Sequence, residues 1–396
     1  METWIFQGGY PVIDVDETRI EQRRFTYSGD GTAATWTVPV QIRTTSGDVS
    51  IIELAESSAD LPVSSADIDS FNHLGHGFYR VKLPSEHLTR IGTSGVEHLE
   101  PVERFGLIDD TWTLTLAGET NLRDFIALLD GYRHENDISV WQRIIGALGF
   151  IDHVATDADR QTLGIRVADL IEHTRAQLGS SPIEGESARD AQLRGSLLGA
   201  AGTLTANNSD IHIEAIEAAR RLLAQDSPDA ELRSAAVKIV AANGNDDDFS
   251  HFRRAFEAAD NPQAEIRFLY ALPAFPEAHH LDELVTMTLD GSIRTQNAPF
   301  VLAQALMNRV HGPAVWARVR SSWDEINALF PANTIVRMLT GVRWLTDPQA
   351  SSDVSEFFAG RSLPQGQKQL DQHLERLAVN ARFRASVVSS LASALS

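Results

Sequence analysis

The sequence predicts a mostly α-helical protein. A small antiparallel β-sandwich, residues 1–83, is followed by a large all-α, HEAT-like α-solenoid, residues 84–396. Three observations carry this reading. Apolar and polar residues alternate with period 2 over about the first 80 residues, then recur at helical spacing from Pro84 onward. An opening of the form Ala–polar–aliphatic–Arg, running into an apolar helix face, recurs in AQLRGSLLGAAG, AELRSAAVKIVAANG and AEIRFLYALPAF at offsets of 39 and 34 residues. Paired helices repeating at about 30–45 residues mark an α-solenoid, and the unequal offsets favour an irregular, HEAT-like stack. Finally, 396 residues exceed what one compact core usually encloses.

The strands follow in order. YPVIDVD and TRIEQRRF flank a short acidic turn and predict a hairpin. In TWTVPVQIRT, Trp36, Val38, Val40 and Ile42 share one face, while Pro39 points to an edge position or a bulge because it cannot donate to a ladder. DVSIIEL is a further strand. GFYRVKL places Tyr79, Val81 and Leu83 on one side. The Ser/Asp-rich piece from Glu56 to Asn72 reads as a loop holding one weakly marked strand. At the chain start, Met1 to Gln7 read as the end of a helix that Gly8 and Gly9 break before the first strand.

The helices come next. PVERFGLIDDTWTLTLAG puts Val102, Phe105, Ile108 and Trp112 at helical spacing and stops at Gly118. NLRDFIALLDGY opens on Asn121 as a cap. DISVWQRIIGALGFI opens on Asp137 and stacks Trp141, Ile144, Ile145 and Leu148. DDDFSHFRRAFEAAD supplies a second helix between two of the repeated openings.

Composition narrows the function. Lys plus Arg total 34 against 54 Asp plus Glu, a net charge of −20, so phosphate backbones are repelled and no nucleic-acid partner is expected. No apolar run reaches the ~18 residues that a membrane helix needs. There is no cysteine, which removes disulfides, thiolate zinc sites and a cysteine nucleophile, and a cytoplasmic setting is expected.

The search for chemistry returns little. HENDI (His134, Glu135) has Ile138 where a second zinc ligand would stand. HHLDE places His279 and Glu283 at i, i+4, a surface pair without a third ligand. HLGHGF (His73, His76) lies in a loop without a partner. Asp109 and Asp110 are adjacent helix residues pointing about 100° apart, so they cannot share one proton, and one of them is expected to pair with Arg104. No Gly-x-Ser-x-Gly elbow or phosphate-binding glycine loop occurs. No catalytic residue and no metal ligand is assigned.

Six stretches, however, occur together and in order: TWIFQGGYPV, RRF, GFYRV, PVERFGLIDDTWTLTLAG, YRHENDISVWQRI and SIRTQNAPFVLAQALMN with its continuation GPAVWARVRSSWDEI. In these the chain resembles the C-terminal half of the aminopeptidase N family of zinc aminopeptidases. It departs from the family in lacking Asn–Tyr after Val81 and in carrying Asn297 where an acid is usual. The resemblance implies a sandwich used as a spacer and a helical bowl that covers the active-site chamber and contacts the peptide substrate. It implies no cofactor in this chain. Zinc is expected in the catalytic domain, which is also the expected partner, because the His–Glu–x–x–His helix and the Gly–x–Met–Glu–Asn segment are not present here. The chain is therefore expected to be inactive alone. Arg294 and Gln296, in SIRTQN at a helix start, are the residues that the resemblance assigns to the substrate's carboxylate tail. Surfaces around Trp4, Phe6 and Tyr10 are expected to be exposed and to give weak self-association. The alternative is a free-standing α-solenoid scaffold that binds peptides or proteins. A hydrolase built on the scattered histidines is the least favoured reading.

Overall fold

A computed structural model describes residues 2–29, 31–363 and 365–396. Seven strands come first: β1 (Pro11–Val15), β2 (Arg19–Arg24), β3 (Val38–Thr44), β4 (Val49–Leu54), β5 (Ser58–Asp60), β6 (Ile68–Ser70) and β7 (Arg80–Lys82). One sheet has the order β5-β2-β1-β7 and the other β4-β3-β6. The predicted hairpin is present, with β1 and β2 antiparallel from Pro11↔Arg24 to Val15↔Ile20. Trp36, Val38, Val40 and Ile42 are fully buried between the sheets with Ile13, Ile20 and Leu54. Gln22 is the polar tie inside this core. Its Nε2 donates to the Trp36 carbonyl at 2.8 Å, and its Oε1 accepts the Trp36 N–H at 2.8 Å.

Pro39 sits opposite Glu53 of β4, whereas β6 meets β3 only at Arg43 and Thr44. The missing N–H of Pro39 therefore costs no ladder bond on the β6 side. One strand pairing departs from the all-antiparallel expectation. β7 runs parallel to β1, Val12↔Arg80 to Asp14↔Lys82. The chain reaches β7 from the opposite sheet, so no hairpin dictates its direction. The piece from Glu56 to Asn72 holds two short strands, β5 and β6, where one was expected.

The helices are α1 (Glu2–Ile5), α2 (Ser85–Ser94), α3 (Pro101–Ala117), α4 (Leu122–Leu129), α5 (Ile138–Val154), α6 (Asp157–Leu178), α7 (Ala188–Leu204), α8 (Asp210–Ala224) and α9 (Ala230–Asn243). They continue with α10 (Asp246–Glu257), α11 (Pro262–Leu269), α12 (Ala278–Leu289), α13 (Ala298–Leu306), α14 (Gly312–Ser321), α15 (Trp323–Leu329), α16 (Ala332–Met338), α17 (Pro348–Phe358) and α18 (Gln367–Leu395). The chain forms two compact units. The first runs to Phe150 and takes in Asp169–Ser181 and Ser389–Ser396; the second holds Ile151–Ala168 and Pro182–Val388. Of the expected opening helix, α1 covers Glu2–Ile5, and Met1 lies outside the described residues.

In the first unit, α3 ends on Gly118 in the left-handed region (φ 77°), as the sequence predicts. Its buried face differs from the expected one. Ile108 and Trp112 are buried, but Val102 and Phe105 are 46% and 37% exposed. Glu103 and Arg104 take the inward line instead, because each has a partner that neutralises it. Asp137 caps α5 through the N–H of Ser139 at 2.7 Å, whereas Asn121 stands at the start of α4 without a side-chain cap bond.

The second unit shows the repeat. Gly195 of α7 lies against Glu231 of α9, and Gly202 against Ile239, so the two helices run parallel, as equivalent helices of stacked pairs do. A β-carbon at Gly202 would meet Ile239 Cγ1 at 2.7 Å, so this close approach requires glycine. Asn243 closes the pair by donating to the Gly202 carbonyl at 2.9 Å. One continuous apolar core, including Phe249, Phe252, Phe275, Leu302 and Trp316, runs from α8 to α18.

Candidate functional site

The segment SIRTQN forms the approach to α13. Arg294 projects into solvent with 69% of its side chain exposed, and its Nη1 lies 3.7 Å from Glu265 Oε2 of α11. Gln296 is also exposed. The backbone here is less available than a helix start usually is. The N–H groups of Asn297 and Ala298 both donate to the Arg294 carbonyl, at 2.8 and 3.0 Å. Those of Phe300 and Val301 donate to the Asn297 carbonyl, and Pro299 has none. An anion arriving here would be met by the Arg294 guanidinium and the Gln296 amide rather than by a row of open N–H groups.

The arginines at the echoed positions are differently employed. Arg194 is buried and donates from Nη1 to Glu186 at 2.9 Å. Arg233 pairs with Asp226 at 3.0 Å. Arg267 is half-buried, and burial together with the neighbouring Arg233 holds it below the usual arginine range. Of the four, Arg294 is the most exposed to solvent.

The remaining candidates resolve into structural ties. Asp109 and Asp110 both reach Arg80 Nη1, at 2.6 and 2.9 Å, and neither pairs with Arg104. The partner comes from β7 rather than from the same helix, and the two hydrogens on that one nitrogen serve a carboxylate each. Asp110 also accepts the Val81 N–H at 2.9 Å. Burial pushes its carboxyl up to about 7. Burial pushes Asp109 the same way, but Arg80 and Arg143 outweigh it and hold that carboxyl below the usual range.

Arg104 instead makes a two-pronged pair with Glu135, at 2.6 and 2.8 Å. Glu135 accepts the N–H groups of Asn136 and Asp137 at 2.8 Å each, and its carbonyl takes Trp141 Nε1 and Thr174 Oγ1. HENDI is thus an anchoring point for α3 and α5. Removing one partner of such a buried pair costs about 3–5 kcal/mol.

The loop histidines have partners after all. His73 Nδ1 lies 3.0 Å from Glu103 Oε1, and His76 Nδ1 lies 3.1 Å from Gln41 Oε1. Glu103 further accepts the N–H of Leu74, whose backbone is left-handed (φ 55°), and the N–H of Glu100 in a capping box at the start of α3. Burial works against its charge, but these bonds outweigh burial and hold the carboxyl low. The expected His279–Glu283 pair is not formed. Glu283 pairs with Arg253, and His279 reaches Asp246 at 3.0 Å. Sequence reading missed Asp246 because it lies on another helix, 33 residues away.

A cavity of about 270 Å³ between the sandwich and α2 has committed polar walls. Arg90 donates to the Ala66 carbonyl at 2.7 Å, and His87 Nε2 contacts the Ser65 carbonyl at 2.9 Å. Among the described residues, no helix is long and apolar enough to cross a membrane.

A family model described as ERAP1-like C-terminal domain matches residues 70–379, more than half of the chain. The chain belongs to the ERAP1-like C-terminal domain family. Curated relatives extend the likeness to nearly the whole chain. Aminopeptidase M1-B of Oryza sativa subsp. japonica is 25% identical over 98% of this chain. Aminopeptidase M1 of Arabidopsis thaliana is 26% identical over 98%, and Aminopeptidase 2 of Candida albicans 24% identical over 97%. The chain spans about half the length of these relatives, 47%, 47% and 43% in turn. The resemblance read from the motifs therefore holds, and the chain has the small β part and the long helical part expected of it.

Proposed function

We propose that the chain is the non-catalytic C-terminal region of a zinc aminopeptidase, an enzyme that removes N-terminal residues from peptides. The observation that carries this is the match to aminopeptidases about twice its length. In this reading the zinc and its ligands belong to the catalytic part, since this chain has no His–Glu–x–x–His segment. The sandwich spaces the two parts. The helical region covers the chamber and holds the far end of the peptide, working in the cytoplasm. Arg294 and Gln296 receive the peptide's terminal carboxylate: the exposed guanidinium supplies charge and two parallel donors, and the amide supplies orientation. Ile5, Phe6 and Phe78, which are 64%, 82% and 71% exposed, form the seam against the catalytic part.

The test is peptide binding by the purified chain, followed by fluorescence anisotropy. A labelled peptide with a free C-terminal carboxylate is expected to bind more tightly than its C-terminal amide. Arg294→Ala is expected to remove that difference, a loss of about tenfold for a charge-assisted bond. Equal binding of acid and amide would remove Arg294 and Gln296 from the reading. Zinc-dependent hydrolysis of amino-acid arylamides by the chain alone would overturn the non-catalytic assignment.

A further inference from the structure

The first turns of α10 and α12 bring together three metal-ligating side chains. Asp246 opens α10, and His279 and His280 lie in the first turn of α12. Nε2 of His279 lies 3.0 Å from Asp246 Oδ1, and Nε2 of His280 lies 3.0 Å from the same oxygen. One ligand atom from each of the three residues falls within 4.8 Å of the other two.

This convergence is not what a helix gives for free. Neighbouring helical residues point about 100° apart, so two adjacent imidazoles meet at one atom only if something holds a ring in place. Here the protein holds His280. It is 2% exposed, stacks on Phe249 at 4.1 Å with 11° between the planes, and meets Phe275 edge-on at 5.6 Å. Its Nδ1 is buried and has no hydrogen-bond partner. The ring is therefore fixed by packing, and Nε2, aimed at Asp246, is its polar outlet. His279 lies outside, its ring centre 4.1 Å from that of His280 and its Nε2 already on Asp246.

We propose that Asp246, His279 and His280 form a binding site for a divalent transition-metal ion of the Zn²⁺, Co²⁺ and Ni²⁺ class. Two imidazole nitrogens and one carboxylate oxygen suit these ions, whereas Ca²⁺ and Mg²⁺ take oxygen ligands in greater number. Three protein ligands leave the remaining positions to water. Two helix N-termini meet here, and their partial positive charge opposes a cation. The first turn of α10 offsets this with Asp246, Asp247 and Asp248, and Glu277 does so at the start of α12. No carboxylate or carbonyl backs His280 Nδ1, so the outer shell typical of a tightly held zinc is missing on that side. The site is reversible rather than permanently loaded. A bound ion ties α10 to α12 and so stabilises the helical unit.

The full chain is titrated with Zn²⁺ against a chromophoric chelator, and with Co²⁺ to read the visible spectrum of the bound ion. Thermal unfolding is followed with and without Zn²⁺. His279→Ala and Asp246→Asn are the variants, because both side chains are largely exposed and their loss leaves the core intact. The expected result is one saturable site, a higher Tm with Zn²⁺, and a fall in affinity of about tenfold or more in each variant, as even outer-shell changes produce. The proposal is overturned if the chain binds no Zn²⁺ or Co²⁺ saturably. It is equally overturned if both variants bind as the parent does, for the metal would then sit on others of the 13 histidines.

Discussion

Arg80 gathers two carboxylates and a phenol: Asp109, Asp110 and the Tyr10 hydroxyl all lie within hydrogen-bond reach of its guanidinium. The consequence shows in pH. The Asp110 carboxyl is raised from 3.8 to about 7 in the folded protein. A raised carboxyl contributes stability fully below its unfolded value and loses that contribution as pH rises through the folded value. Wild-type stability relative to Asp110→Asn is therefore expected to fall between about pH 4 and 7 and to level off above that, since the amide does not titrate. Urea midpoints of both proteins across that range check this, and a rising difference would mean an ionised carboxylate fixed by Arg80. The residue scale is also where the sequence was least legible. LIDD, HENDI and HLGHGF were visible as charged or histidine-bearing stretches, but their partners Arg80, Arg104 and Glu103 lie about 30 residues away, beyond what local spacing reports.

Elements were more legible, because hydrophobic periodicity is set by the same burial that the fold requires. The hairpin, the buried face of β3, the Gly118 stop and the Asp137 cap all follow from local chemistry. β7 was found as a strand but not as a parallel one, since pairing direction depends on where the chain has been rather than on its own residues. The echo of α7 and α9 was legible as a repeat, but the glycines that let them approach were not. Gly202→Ala tests that closeness. Its added methyl would meet Ile239 at 2.7 Å, and overpacking of this kind costs about 1–3 kcal/mol. Chemical denaturation of the variant is expected to show that loss. Gly199→Ala, where a β-carbon meets nothing within 4 Å, is expected to be neutral or slightly stabilising. Equal effects at the two positions would show that α7 and α9 are not in close contact at Gly202.

At the scale of the molecule, the chain is half the length of its aminopeptidase relatives and carries an aromatic cluster near its start. Trp4 packs on Trp36 and bonds the Thr37 carbonyl, and Tyr10 stacks on Phe25, so these two are partly covered from within. Phe6 and Phe78 remain outside. Weak, concentration-dependent self-association of the chain is expected through them, and Phe6→Ser with Phe78→Ser should abolish it in sedimentation velocity. Association unchanged in the double variant would place the contact elsewhere. Motif order across the whole chain made the family legible, while Phe78 as part of the exposed patch was not, because it lies in the bend ahead of β7, beside the buried Tyr79.

Glu103 ends one thing and begins another: it clasps His73 and Leu74 from the sandwich while closing the first turn of α3. Together with Asp109 and Asp110 on Arg80, it makes α3 the lid stitched onto the sandwich. For anyone exchanging modules between members of the family, the transferable cassette is thus the sandwich with α3 attached. A splice beyond Gly118 keeps every one of these stitches within one parent, whereas a splice at the last strand would ask residues from two lineages to fit each other.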